Sequence, residues 1–233
     1  MDFITVPLRF FQNGGPFMYP IAIVLVIGLA VSLERWLYLT QAKSANRNAF
    51  NRILPLLKKR DYKAVMQLGQ NSSAPVARIL AAGVARMNHS QRRDDIELAM
   101  EEGVMEAMPR LEKRTPYLAT LANIATLLGL LGTIIGLIAA FTAVAEADPA
   151  EKANLLSGSI SVAMNTTAFG LMSAIPLLLF HAMLQTKTTE IIDSLEMAGV
   201  KALNLMGLGS GGERSRPQAP PTGDASSSGK KPT

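Results

Sequence analysis

Residues 117–145 read YLATLANIATLLGLLGTIIGLIAAFTAVA, and residues 155–186 read LLSGSISVAMNTTAFGLMSAIPLLLFHAMLQT. Neither run contains an Asp, Glu, Lys or Arg. Each exceeds the roughly 20 apolar residues that cross a bilayer core as a helix, so both are predicted to be membrane helices. Small residues in both runs let backbones approach closely, while hydroxyls and an amide require partners in a lipid setting. Two packed helices with a shared polar seam are therefore expected, and function is to be sought at that seam. Gly129, Gly132 and Gly136 on the first run, and Gly170 and Pro176 on the second, are its predicted packing positions. Gly132 and Gly136 form a GxxxG pair, and Pro176 removes a backbone donor in mid-membrane, giving a kink.

Working outward, a third uncharged run extends from Phe17 to Leu33 and ends at Glu34. It is assigned as the first membrane helix, residues 14–40, with Trp36 and Tyr38 as an interfacial belt. A cleaved signal peptide fits poorly, because Arg35, Lys43 and Arg47 follow the apolar run instead of preceding it. Residues 1–13 place Phe3, Ile4, Val6, Leu8, Phe10 and Phe11 around Arg9, the pattern of a short interfacial segment. Residues 41–115 are polar, helix-rich and basic, whereas the loop 146–154 sets Lys152 against Glu146, Asp148 and Glu151. The positive-inside rule then places residues 41–115 and the helix 187–206 in the cytoplasm, with the N-terminus and the loop outside.

Ile96, Met100, Val104, Ala107 and Leu111 form an apolar stripe at helical spacing, as do Ile191, Ile192, Leu195, Ala198 and Ala202. The first stripe is expected to continue as one helix into the segment 116–145, bent at Pro109 and Pro116. Residues 207–233 turn to Gly, Ser, Pro and charge, a composition that reads as a disordered tail. The fold class is thus an all-α integral membrane protein. Three transmembrane helices (14–40, 116–145 and 155–186) carry long cytoplasmic helical extensions.

The chain has 233 residues, a formal net charge of +5, no cysteine and 48% hydrophobic residues. Basic residues alternate with acids and lack an aromatic platform, which argues against a nucleic-acid partner. No disulfide framework or thiolate metal site is available. The sequence holds no nucleophile–base–acid set, P-loop or metal spacing, so neither enzyme activity nor a cofactor is expected.

Thr120, Asn123, Thr126 and Thr133 lie roughly on one face of the second membrane helix. Ser159, Thr166 and Ser173 follow at heptad spacing on the third, with Asn165 and Thr167 adjoining. A single hydroxyl commonly bonds back to the carbonyl one turn earlier; two matching stripes suit a wet or partner-filled lumen. No carboxylate, Lys or Arg lies deep in either helix. Intramembrane proton relays usually rely on ionisable groups, so a proton-conducting assembly would need another subunit to supply one. His181 reads as an interfacial residue, and Glu34 with Arg35 as a snorkelling pair.

The segments GGPFMYPI, ERWLYL, LEKRTPYLATLANIATLLGLLGT and TTAFGLMSAIP resemble the TolQ/ExbB/MotA proton-channel family, in particular its TolQ and ExbB branch. The resemblance runs from Gly14 to about Ala198. It implies an inner-membrane subunit forming a homo-oligomer, a pentamer, around the single helices of a TolR/ExbD-like dimer that carries the essential membrane Asp. It also implies a motor that converts proton-motive force into work on a TolA/TonB-like or gliding-machinery force receiver. The family's proposed ion-path hydroxyls fall on Thr133 and Thr167. Thr126 stands where the family often has Pro, Val162 where many members have Glu, and Asn165 and Thr166 where small or apolar residues are common. Thr126, Thr133, Thr166 and Thr167 are the candidate pore-lining residues. A gliding-motility subunit of the same family and a non-conducting membrane scaffold are the alternative readings.

The topology is testable because the chain lacks native cysteine. Cysteines placed at Ser44 and Ser226 are expected to be shielded from an impermeant thiol reagent in intact cells, while one at Ala150 reacts. Labelling of Ser44→Cys from outside contradicts the orientation.

Overall fold

The computed structural model describes residues 14–90 and 92–207. The expectations for residues 1–13, and for the tail beyond Gly207, lie outside the described residues. Among the described residues six helices follow one another: α1 (Met18–Lys58), α2 (Tyr62–Asn71), α3 (Pro75–Met87), α4 (Arg93–Glu112), α5 (Thr115–Glu146) and α6 (Lys152–Leu205). Among the described residues there is no strand.

Among the described residues three helical stretches, within α1, α5 and α6, are long and apolar enough to cross a membrane. α1 has 41 residues and α6 has 54, so they extend roughly 60 and 80 Å at 1.5 Å per residue. Both outrun a bilayer core of about 30 Å. α1 therefore does not stop near residue 40, and α6 joins the expected segments 155–186 and 187–206 into one rod. Less than a third of each apolar window is buried. Ile23, Val26, Leu127, Ile134, Ile138, Met172 and Leu179 are among the apolar residues left on the outside.

Two cores result. In the membrane part, Ile21 of α1, Ala122 and Ala125 of α5, and Ala174 and Leu177 of α6 close a small cluster. The larger core ties the extensions of α1 and α6 to α2, α3 and α4 through Leu39, Ile53, Leu80, Ile96, Leu195 and Ala202. The whole predicted stripe on α4 is buried there, and on α6 only Ile192 is half-exposed. Local chemistry fixes the turns. Arg60 takes a left-handed conformation after α1, Asp61 accepts the Ala64 amide at the start of α2, and Pro75 opens α3. The carboxamide oxygen of Asn46 in α1 accepts the Val76 amide, tethering α3 to α1.

The expected continuous helix through residues 96–145 is interrupted. Lys113 leaves helical geometry, and Arg114 is left-handed with φ 67°. Pro116 supplies the reason: it lacks an N–H, and its ring clashes with the carbonyl four residues earlier. Pro109, by contrast, stays inside α4. Arg35 stabilises the break. It is 3% exposed and donates from a terminal nitrogen to the Leu111 carbonyl, one of the carbonyls left without a helical partner at the end of α4. Its guanidinium also lies 4.7 Å from the Tyr38 ring centroid. The snorkelling reading of Glu34 with Arg35 is thus corrected: Arg35 turns inward, and Glu34 pairs with Arg114 at 3.0 Å.

Further along, Lys187 of α6 sits 4.8 Å over the Trp36 ring and donates to Thr40. Lys43 donates to Glu190 at 2.7 Å, which holds the Glu190 carboxyl below the usual carboxylate range. This pair is exposed and adds little to stability.

Replacing Arg35 by Met removes the charged donor from the Leu111 carbonyl, at a cost of about 1.5–3 kcal/mol. Limited trypsin digestion is expected to cut the Arg35→Met protein faster at Lys113 and Arg114. An unchanged cutting rate contradicts the role of Arg35 at the break.

Candidate ion path at the α5–α6 seam

α5 and α6 meet backbone to backbone. A Cβ on Gly170 would lie 2.8 Å from the Ala125 carbonyl oxygen and 3.0 Å from the Gly129 Cα, and one on Gly129 would lie 3.2 Å from the Gly170 Cα. A Cβ on Gly132 would overlap the Thr166 methyl, and one on Gly136 would reach Ala163 at 3.0 Å. The glycine cluster thus closes a contact inside one chain. Pro176 is half-buried within the uninterrupted α6.

Among the candidate pore-lining hydroxyls, Thr126 bonds back to the Ala122 carbonyl at 3.1 Å and Thr133 to Leu130 at 2.6 Å. Thr167 instead crosses the seam to the Gly129 carbonyl at 2.9 Å. All three are half-buried along the contact. Thr166 is 2% exposed and bonds to the Gly14 carbonyl at 2.6 Å and to Val162 on its own helix. Ser173 is fully buried with its hydroxyl unpartnered. The heptad stripe on α6 is therefore not left open in a single chain, because Thr166 and Ser173 turn into the protein. Thr120 and Asn123 are exposed.

The seam has two sides. Phe17 approaches Gly132 beside Thr166, and Leu177 packs on Gly28. At 100° per residue, the α1 contacts Lys187, Thr166 and Leu177 come first around the α6 axis. The α5 contacts Gly170 and Ala163 follow, and then Thr167. On α5, Thr126 and Thr133 fall within about 20° of each other, on the far side from Gly132 and Phe17. Thr126, Thr133 and Thr167 hence share the side of the seam that α1 does not cover.

Sequence reasoning identified these hydroxyls and the glycines. It missed Gly28, whose role depends on where α1 packs, and Thr115, whose hydroxyl is buried and unpartnered. Thr115 precedes Thr126 by 11 residues, three turns of helix, a spacing that could have placed it on the same line.

Comparison with known proteins bears on this site. The profile of the MotA/TolQ/ExbB proton channel family matches residues 71–197, more than half of the chain. A putative biopolymer transport protein ExbB-like 3 from Synechocystis sp. is 29% identical over 168 residues, covering 72% of this chain and 79% of that relative. The Tol-Pal system protein TolQ of Pseudomonas aeruginosa is 26% identical over 189 residues, covering 74% and 81%. The biopolymer transport protein exbB1 of Vibrio cholerae is 28% identical over 169 residues, covering 71% and 73%.

Gly170→Ala presses a methyl onto rigid backbone and is expected to destabilise the chain by about 1–3 kcal/mol. Gly158→Ala is the control, since nothing lies within 4 Å of that position. Thermal unfolding in detergent should fall for the first and hold or rise for the second. Equal responses contradict the close approach at Gly170.

Proposed function

The chain belongs to the MotA/TolQ/ExbB proton channel family, and from that premise we propose that it is the channel-forming subunit of an inner-membrane motor driven by proton-motive force. The observation that carries this reading is the seam itself. Its open side presents Thr126, Thr133 and Thr167, while residues 117–145 and 155–186 hold no Asp, Glu, Lys or Arg. A hydroxyl does not titrate near neutral pH, so these groups serve a proton carried by another molecule. A TolR/ExbD-like dimer of single helices, each with a membrane Asp, fits that need. Five copies of this chain would enclose it, with α1 outermost.

The hydrogen bonds refine the role of the hydroxyls. Thr133 and Thr167 each use their one donor proton on a backbone carbonyl, leaving lone pairs free to accept. They would stabilise the protonated carboxylic acid of the partner, or a bridging water, more than the carboxylate. Each charge crossing 100 mV yields about 2.3 kcal/mol, so several protons per mechanical step supply useful work. The force would pass to a TolA/TonB-like receiver.

Thr→Val keeps the shape and removes the hydroxyl. In the complex purified with its single-helix partner and reconstituted in vesicles, Thr133→Val with Thr167→Val is expected to suppress proton flux while subunit stoichiometry is retained. Thr→Ser at both positions largely preserves it. Full flux in the double Val variant contradicts the ion-path role, and loss of assembly assigns the hydroxyls to packing.

A further inference from the structure

At the end of the seam nearest α4, Glu112, Thr115, His181, Gln185, Thr188 and Thr189 line a cavity of about 280 Å³. Pro116 also lines it, as the one residue of the seven with an apolar side chain. Thr115 is 4% exposed and its hydroxyl has no protein partner, which is the condition under which a buried water becomes part of a structure. His181 Nδ1 lies 3.1 Å from the Thr115 carbonyl oxygen. A carbonyl can only accept, so Nδ1 carries the hydrogen and donates. In the neutral ring Nε2 is then the free acceptor.

The cavity is aligned with the ion-path hydroxyls. Gln185 follows Thr167 by 18 residues, five full helical turns, about 27 Å along the same line of α6. His181 lies about 40° from that line, towards α5. Thr115 shares the line of Thr126 and Thr133 on α5. All of these sit on the side of the seam away from α1.

We propose that this cavity is the cytoplasmic proton-release site of the channel, with His181 as the group that takes up and releases the proton. The proposal rests on the proton-channel reading above and on the orientation that places this end inside. A proton arriving along the seam through water adds to Nε2, giving the imidazolium while Nδ1–H stays on the Thr115 carbonyl. The Nε2 proton then leaves to cytoplasmic water and the neutral tautomer is restored, one proton in and one out. Glu112 is the other ionisable group lining the cavity. The charges nearby on other elements are committed elsewhere: Arg35 to the Leu111 carbonyl, Arg114 to Glu34, and Lys187 to Thr40 and the Trp36 ring.

His181→Gln keeps an amide donor for the Thr115 carbonyl but cannot carry the proton. In the reconstituted complex, flux is expected to fall about 100-fold or more, and its dependence on the pH of the cytoplasmic side should change. Unchanged flux and an unchanged pH profile in an assembled His181→Gln complex overturn the release site. If Thr133→Val with Thr167→Val still suppresses flux there, the channel reading stands. A wild-type complex that conducts no protons overturns both. Where His181→Gln fails to assemble, Thr189→Val on the exposed rim decides: reduced flux supports the hydrated cavity, and full flux overturns it.

Discussion

The contact on which the structure depends is the approach of Gly129 in α5 to Gly170 in α6. Membrane helices gain no hydrophobic drive from meeting each other, so van der Waals packing and interhelical hydrogen bonds must hold them. Both require small residues at the crossing. Here a Cβ on Gly170 would lie 3.0 Å from the Gly129 Cα, and the Thr167 hydroxyl adds a bond to the Gly129 carbonyl. That approach holds Thr126, Thr133 and Thr167 beside one another and leaves no room for a charged side chain. At this crossing the seam is therefore polar without being ionisable.

A second constraint acts where the membrane part meets the larger helical core. The break at Lys113–Arg114 redirects the chain between α4 and α5, and Arg35 of α1 fixes it by bonding to the Leu111 carbonyl. α6 needs no such joint. It carries Gly170 at the seam and Leu195 and Ala202 in the larger core on a single rod. Displacement at the seam would thus be felt by the helices of the larger core through α6 directly, and through α5 by way of the Arg35 junction and Leu118.

Much of this was legible in the sequence because membrane spans and amphipathic stripes follow simple periodicities. The α4 stripe from Ile96 to Leu111 is buried throughout, and the three apolar runs became the three candidate spans. The failures are of one kind. Periodicity places a residue on a helix face but does not say what covers that face. Arg35 read as snorkelling because the carbonyl it caps lies 76 residues away. Thr166 and Ser173 read as lumen-facing because the N-terminal approach of α1, which brings the Gly14 carbonyl onto Thr166, leaves no trace in local spacing. The break before Pro116 was visible as a proline, yet its extent depended on a tertiary partner.

The central claim is that the side of the α5–α6 seam away from α1 encloses the ion path. The most direct test is a particle image of the complex purified with its single-helix partner, resolved to side chains. The account predicts Thr133, Thr167 and Gln185 on the enclosed surface, with α1 at the periphery. An assembly in which α1 lines the interior, or in which Thr133 and Thr167 face lipid, would contradict it.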